Sequence, residues 1–220
     1  IKKGTPLVTA VSQPSGIRVL EGIAGEKSAP VYQFKKEFSI RKDLRRETYS
    51  YSGINADFKS LVKPLPGDHQ KQNLSLGLAA CEIIFNRMKK TDSRYELTPE
   101  LVEKGLASAY WPGRLEHIQE SPLVILDGAH NLHASKVLGQ HLEAELKGKK
   151  LTLVVGILDD KPYEKMLENM AACADRVIIT QARIDRSIPA ATLQKAVRKI
   201  KKLPITIIED VKEAVAHAIE

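Results

Sequence analysis

The chain has 220 residues, of which 43% are hydrophobic and 28% are charged, a balance typical of one large or two small globular domains. It has no apolar run of about eighteen residues and no apolar segment like that of a signal peptide, so we expect no membrane partner. Residues 1–95 hold 17 basic and 9 acidic side chains, whereas residues 96–220 hold 17 basic and 18 acidic side chains. Aromatic residues make up only 5% and no basic stripe carries them, so we expect no nucleic-acid partner.

The first part of the chain consists of short apolar runs broken by glycine, proline and charged residues. The runs predict strands over Leu7–Val11, Val31–Phe34, Glu47–Tyr51 and Phe58–Val62, with a helix over Ser15–Glu26. The segment Pro64-Leu-Pro-Gly-Asp68 then predicts a break in the regular structure, which we call the stop signal. After it, apolar residues at helical spacing predict a long helix over 70–88.

The second part of the chain alternates strands and helices. Thr98-Pro-Glu100 predicts the start of a helix that runs to about Ala107. From there, four apolar strands (Leu123–Leu126, Leu151–Val155, Arg176–Thr180, Ile205–Ile208) are each followed by a helix (Ala134–Leu146, Tyr163–Cys173, Ala190–Lys201, Val211–Ile219). This order predicts an α/β fold with a parallel sheet, and we place a domain boundary between residues 1–95 and 96–220.

The first candidate site follows the strand Leu123–Leu126. The segment Asp127-Gly-Ala-His-Asn131 places a carboxylate, an imidazole and a carboxamide at the carboxyl end of a strand, where open parallel sheets bind ligands. The small residues inside the segment allow a ligand to approach closely. The alternative is that Asp127 or Asn131 only caps the helix that begins near His133.

Two further segments could hold an anion or a base. In Trp111-Pro-Gly-Arg114, a tight turn carries an arginine suited to phosphate or carboxylate; the alternative is a surface turn with a solvated Arg114 and a core tryptophan. His69, Gln70 and Asn73 stand at the start of the long helix and could hydrogen-bond a ligand, or could serve only capping and solubility. Neither GxxxxGK[ST] nor GxGxxG occurs anywhere in the chain.

These segments together resemble the folylpolyglutamate synthase and dihydrofolate synthase family of the Mur ligase superfamily. Lys2-Lys-Gly-Thr-Pro6 resembles the family's I-K-x-G-x-P stretch, and Leu65-Pro-Gly-Asp-His-Gln-Lys-Gln-Asn73 resembles its G-x-H-Q-x-x-N segment. Trp111-Pro-Gly-Arg-Leu-Glu116 and Ile125-Leu-Asp-Gly-Ala-His-Asn131 are similar to its W-P-G-R-x-E and D-x-A-H-N motifs. The order and separation of these motifs make the resemblance specific over essentially the whole chain.

The resemblance implies a fold, a reaction and a role for each site residue. Residues 1–95 would be the last part of a Mur-ligase-type central ATPase domain, and residues 96–220 the Rossmann-like C-terminal domain. The family uses ATP and Mg²⁺ to phosphorylate a folate or dihydropteroate carboxylate, and the amine of L-glutamate attacks the acyl phosphate. By position, Asn73 matches the residue that contacts adenine, Arg114 the phosphate-binding arginine, Asp127 the ribose-binding carboxylate and His130 a histidine beside the reaction centre. His69 and Gln70 would position the nucleotide.

The chain departs from the family because it has no glycine-rich phosphate loop, so we expect the 220 residues alone to be an inactive part of a longer enzyme. Three alternatives stay open: a Mur ligase that adds an amino acid to a UDP-muramoyl precursor, a binding module without catalysis, and a nucleic-acid binder that uses the basic first part of the chain. Cys81 and Cys173 form no metal-binding pattern and are typical of a reducing cytoplasm. We expect a cytoplasmic monomer.

Overall fold

The computed structural model describes residues 1–63 and 65–220, so the first residue of the predicted stop signal, Pro64, lies outside the described residues. The chain divides into two compact units, which we call unit 1 (Ile1–Trp111) and unit 2 (Pro112–Glu220). Each unit has its own hydrophobic core. No helix among the described residues is both long enough and apolar enough to cross a membrane.

Unit 1 combines a short parallel pair of strands with an antiparallel sheet. Its elements are β1 (Leu7–Thr9), α1 (Pro14–Glu26), β2 (Val31–Gln33), β3 (Ser39–Asp43), β4 (Thr48–Ser52), β5 (Asp57–Leu61), α2 (Gln70–Lys89) and α3 (Pro99–Ala107). Strands β1 and β2 pair in parallel, and β3, β4 and β5 form an antiparallel sheet in that order. The sequence did not predict β3, because its Ser-Ile-Arg-Lys-Asp residues show no apolar run and it forms by pairing with β4.

The core of unit 1 is aromatic, and one carboxylate is buried at its edge. Tyr51 of β4 stacks on Phe58 of β5, with ring centroids 6.1 Å apart. The Tyr51 hydroxyl donates a 2.6 Å hydrogen bond to the carboxylate of Glu82 in α2. Glu82 is only 2% exposed. Burial, together with this hydrogen bond, raises the pKa of the Tyr51 phenol above its usual range. The hydrogen bond between Tyr51 and Glu82 therefore connects the antiparallel sheet of unit 1 to helix α2.

The division between the units falls later than the boundary predicted at residues 95 and 96. Helix α3 lies beyond that boundary, yet its Val102 is 5% exposed and belongs to the core of unit 1, with Leu97 and Leu106 packed against it. The helix start itself is as predicted, since the Thr98 hydroxyl accepts a hydrogen bond from the Leu101 amide. Helix α3 therefore belongs to unit 1 because of its apolar packing. The polar residues around position 95 give no sign of this packing.

Unit 2 is built on a parallel sheet with helices between its strands. Its elements are β6 (Glu116–Glu120), β7 (Leu123–Leu126), α4 (Leu132–Glu145), β8 (Thr152–Val155), α5 (Tyr163–Ala171), β9 (Arg176–Ile179), α6 (Ala190–Ile200), β10 (Ile205–Ile207) and α7 (Val211–Ile219). The sheet has the order β10-β9-β8, and all its pairs are parallel. The central strand β9 is almost completely buried, as its continuous apolar sequence predicts. The predicted α/β class is confirmed.

One detail of the predicted sheet is wrong. The strand β7 was expected to be the first of four parallel strands, but among the described residues it pairs antiparallel with β6. Its terminal residues Leu123 and Leu126 are 37% and 51% exposed, unlike the buried residues of β9. The two strands are joined by the short turn at Ser121-Pro122, so β7 pairs with its neighbour in sequence. The hairpin therefore brings the residues before β6 close to the residues after β7.

Candidate functional site

The hairpin of β6 and β7 brings Pro112-Gly-Arg114 of one predicted motif and the Asp-Gly-Ala-His-Asn loop of another side by side in unit 2. Glu116 at the start of β6 pairs with Leu126 at the end of β7, so the residues before one and after the other are adjacent. The amide of Gly128 donates a 2.7 Å hydrogen bond to the carbonyl of Gly113. The Trp-Pro-Gly-Arg turn and the Asp-Gly-Ala-His-Asn loop are therefore two sides of one local structure.

The carboxylate of Asp127 ties the turn to the loop. Its Oδ2 accepts a hydrogen bond from the amide of Leu115 at 3.0 Å, and its Oδ1 accepts one from the amide of Ala129 at 2.9 Å. Each oxygen still has a lone pair that can accept from a ligand hydroxyl. Asp127 is thus fixed in orientation and keeps acceptor capacity.

Glycine is needed where the two segments meet. Gly113 has φ +65°, a conformation that side chains disfavour, and a Cβ on Gly128 would stand 3.3 Å from the carbonyl oxygen of Gly113. Glu116 adds a brace that the sequence reasoning missed, because its Oε2 accepts a 2.7 Å hydrogen bond from the Gly113 amide. The available signal was an acid three residues after a Pro-Gly turn.

Arg114 projects from this braced turn. Its side chain makes no hydrogen bond or ion pair within the part of the chain that the structure describes, although the residue is half-buried. The alternative of a core tryptophan beside it is wrong, since Trp111 is 63% exposed. A guanidinium held on a rigid turn without a carboxylate partner is suited to bind an anion in its planar fork.

His130 and Asn131 have different local roles in the loop. The Nδ1 of His130 lies 2.8 Å from the carbonyl oxygen of Gly128, and because a carbonyl only accepts, Nδ1 carries the proton. The Nε2 of this exposed ring is left to accept a proton or a hydrogen bond. Asn131 is the N-cap of α4, where its Oδ1 accepts from the Ala134 amide at 2.9 Å. Capping thus explains Asn131 but neither Asp127 nor His130.

The other three predicted residues lie together in unit 1, at the start of α2. His69 is the N-cap residue of the helix but makes no side-chain cap. Gln70 is 6% exposed, and its Oε1 accepts a 2.8 Å hydrogen bond from the Nδ2 of the exposed Asn73. This bond fixes the orientation of the Asn73 carboxamide and leaves its oxygen and one N–H for a ligand.

The segment before α2 is stabilised by two lysines. The ammonium of Lys71 lies 2.6 Å from Asp68 and holds the pKa of that carboxyl below its usual range. The ammonium of Lys63 donates to the carbonyl of Gly67 at 2.8 Å, and Gly67 has φ +94°. The backbone that precedes Gln70 and Asn73 is therefore fixed by local contacts.

The expected magnesium ion finds no ready ligand set here. Within residues 1–63 and 65–220, no three His, Cys, Asp or Glu side chains come close enough together to hold a metal ion. We therefore assign no residue to Mg²⁺ and derive no step through a metal.

Comparison with known proteins finds a Mur ligase domain in the second part of the chain and similar proteins that cover most of it. Residues 113–220 match the model of the Mur ligase, glutamate ligase domain. The dihydrofolate synthase/folylpolyglutamate synthase of Bacillus subtilis is 30% identical over 199 residues, which cover 89% of this chain and 45% of that protein.

Two solved structures have the same fold as this chain. The folylpolyglutamate synthase of Thermotoga maritima is 32% identical with a TM-score of 0.77, over 98% of this chain and 50% of that one. The Mycobacterium tuberculosis folylpolyglutamate synthase complexed with ADP and AMPPCP is 25% identical with a TM-score of 0.84, over 97% and 47%. The chain thus spans about half the length of the relatives it matches. The resemblance seen in the motifs is confirmed: residues 113–220 match the Mur ligase, glutamate ligase domain, and the proteins that the chain resembles over most of its length are folylpolyglutamate and dihydrofolate synthases.

Proposed function

We propose that this chain is part of an ATP-dependent amide ligase that adds L-glutamate to folate, to dihydropteroate or to both through an acyl phosphate. The observation that carries the proposal is the hairpin that holds Arg114, which has no partner in the described residues, beside the braced carboxylate of Asp127. The names of the relatives support the same reaction, and one of them was solved with ADP and AMPPCP.

Within unit 2, we assign the ribose to Asp127 and a phosphate to Arg114. Carboxylate oxygens accept well from vicinal hydroxyls, and the two backbone amides that hold Asp127 keep it from turning away. The guanidinium of Arg114 would neutralise charge on a phosphate, the main requirement of phosphoryl transfer. His130 would stand beside the reacting groups, with Nε2 available to accept a proton or a hydrogen bond.

Within unit 1, we assign the adenine to Asn73. A carboxamide offers an acceptor and a donor at the spacing that the edge of adenine presents, as amide side chains do when they bind this base. Gln70 would act as a positioning residue through its hydrogen bond to Asn73, and His69 would support the same turn.

The 220 residues contain no glycine-rich phosphate loop, so we propose that they neither hydrolyse ATP nor make folylglutamate alone. ATP, Mg²⁺, the folate or dihydropteroate substrate and L-glutamate would meet in an enzyme that also has such a loop. We further propose that it works as a monomer in the cytoplasm, which suits the two free thiols.

Binding of ATP to the chain tests the assigned residues. Isothermal titration would compare Asp127→Ala and Arg114→Ala with the matched variants Asp185→Ala and Arg198→Ala, whose side chains are exposed and make no hydrogen bond or ion pair in the described residues. We expect affinity to fall about tenfold or more in the first two variants, since a charge-assisted hydrogen bond contributes roughly 1.5–3 kcal/mol, and to stay unchanged in the controls. Equal affinity in all four variants would refute the assignment.

The reaction itself is tested by adding a polypeptide that carries the phosphate loop. Glutamate-dependent ADP release would be measured with folate, dihydropteroate or a UDP-muramoyl substrate. Release with folate or dihydropteroate supports the proposal, and release with the UDP-muramoyl substrate alone would assign a cell-wall ligase instead. Robust glutamate-dependent release by the 220 residues alone would overturn the proposed need for a phosphate loop.

A further inference from the structure

A cavity of about 540 Å³ lies in unit 1 at the C-terminal end of α2. The helix contributes Asn86, Arg87 and Lys90, while Tyr32 of β2 and Asn55 of the loop between β4 and β5 contribute from other elements. A volume of this size is within the range of roughly 300–1,000 Å³ that small-molecule sites occupy. Ile54 and Ile83 also line it, so three separate parts of unit 1 form one concave surface of mixed polarity.

This cavity is distinct from the residues that we assign to adenine. Asn73 lies in the first turn of α2, whereas Arg87 lies in its last turn, roughly four helical turns away. None of the residues assigned to ATP lines the cavity.

The charge of the cavity is positive and partly unpaired. Its lining includes Arg87, Lys89 and Lys90 but no acidic residue. Lys89 pairs with Glu96 at 2.7 Å, whereas the side chains of Arg87 and Lys90 make no hydrogen bond or ion pair in residues 1–63 and 65–220. Because they are three residues apart, Arg87 and Lys90 lie on the same helix face. Two cations without a protein partner thus border one cavity.

Cations near the end of α2 also stabilise its carbonyl groups, which carry a partial negative charge. That effect accounts for basic residues in the last turn, but it does not account for the cavity that these residues share with Tyr32 and Asn55. The wall is also held in place, because the backbone amides of Asn55 and Ala56 donate to the buried carboxylate of Glu82 at 2.6 and 3.0 Å. A wall fixed in this way lowers the cost of ordering a ligand.

We propose that this cavity binds a small polyanion whose negative groups are separated along the molecule. One helical turn, about 5 Å, separates the backbones of Arg87 and Lys90, so two spaced anions suit them better than one compact ion. Tyr32, Asn55 and Asn86 can donate hydrogen bonds between the charged groups. If the proposed function holds, a chain of γ-linked glutamates is a polyanion that the reaction would itself lengthen; an organic polyphosphate is the other source of the same chemistry.

Titration of the full chain with defined probes tests this proposal. The probes are tri-γ-glutamate, tripolyphosphate, inorganic phosphate and neutral tri-γ-glutamine, measured by calorimetry and by amide shifts in NMR. The variant Arg87→Gln/Lys90→Gln, at two exposed residues, is compared with Arg18→Gln/Lys104→Gln, which removes the same charge from exposed sites of unit 1 outside the cavity. Far-UV circular dichroism checks that both variants are folded.

We expect tri-γ-glutamate or tripolyphosphate to bind at least tenfold more tightly than inorganic phosphate. The variant at the cavity should lose this binding, whereas the control should keep it. Loss for the glutamate chain identifies a carboxylate ligand, and loss for tripolyphosphate identifies a phosphate ligand. No binding of either probe, or equal weakening in both variants, would overturn the proposal.

These outcomes do not depend on the proposed ligase activity. Binding that requires Arg87 and Lys90, together with no folate or dihydropteroate ligation when the phosphate-loop polypeptide is added, would support the cavity and reject the proposed function. Folate ligation in the presence of that polypeptide, without such binding, would support the proposed function and reject the cavity.

Discussion

Glu82 accepts four hydrogen bonds inside unit 1, and replacing it by alanine should destabilise that unit strongly. Its Oε1 accepts from the Tyr51 hydroxyl at 2.6 Å and the Ile54 amide at 3.1 Å, and its Oε2 accepts from the amides of Asn55 and Ala56 at 2.6 and 3.0 Å. The Glu82→Ala variant keeps these donors but removes both acceptor oxygens. The loop between β4 and β5 would then lose its attachment to α2.

The magnitude follows from how well water can replace the carboxylate. Tyr51 is 1% exposed, so its hydroxyl would be left unsatisfied at a cost of roughly 1–3 kcal/mol. The loop amides lie at half-buried or exposed residues, and water can recover part of each bond, which leaves about 0.5–1 kcal/mol apiece. We therefore expect the free energy of unfolding of unit 1 to fall by about 3–5 kcal/mol.

Urea denaturation of the 220-residue chain measures this change. Near-UV circular dichroism follows unit 1, since Tyr163 is the only one of the six tyrosines that lies in unit 2. Glu103→Ala, at an exposed position of α3 without a hydrogen bond or ion pair in the described residues, is the control and should change little. A loss below about 1 kcal/mol in Glu82→Ala would refute the reasoning.

The Tyr51→Phe variant separates one of the four bonds, because it removes the hydroxyl without leaving a donor unsatisfied. We expect it to cost about 1 kcal/mol, and its effect should largely disappear in the Glu82→Ala background, which a double-mutant cycle would measure. Gly139→Ala should destabilise unit 2 by about 1–3 kcal/mol, since the added Cβ would overlap the backbone of Asn169 in α5; a stability gain in thermal unfolding would contradict this close approach. Asp210 caps α7, and the backbone amide of Glu213 and other contacts lower its pKa, so its stabilising effect is present above the usual carboxyl range and is lost as pH falls below it. The difference in urea midpoint between the parent chain and Asp210→Ala should therefore shrink as the pH is lowered through that range; a constant difference from pH 7 to pH 2 would argue against a role for the charge.

Local patterns in the sequence were sufficient for most helices and for the parallel strands. Continuous apolar segments such as Arg176–Ile179 can be buried on both faces only inside a sheet, and a threonine before Pro99 predicts a helix start wherever the helix packs. Neither inference needs a distant partner, because propensity and capping act within a few residues. The predicted α/β class depended on these local signals.

The candidate residues were also found from the sequence, but their local arrangement was not. Motif spacing selected Arg114, Asp127 and His130, whereas the hairpin pairing of β6 with β7 decided that Asp127 would brace the turn that carries Arg114. The charged ends of β6 gave no strand pattern, so its pairing could not be predicted, and the brace by Glu116 was missed although this acid follows the Pro-Gly turn by three residues. Which strand pairs with which depends on the interaction energy between two segments, and the sequence of one segment alone does not give that energy.

What the sequence by itself determined are the elements whose causes are local: caps, apolar strands and the motifs that mark the chain as a Mur ligase relative. Only the tertiary structure decided that Val102 joins the core of unit 1, that β7 leaves the parallel sheet, and that Glu82 is buried as an acceptor. The physical reason is the same in each case. Burial and pairing depend on which distant side chains compete for the same space, and that competition is settled only when the chain has folded.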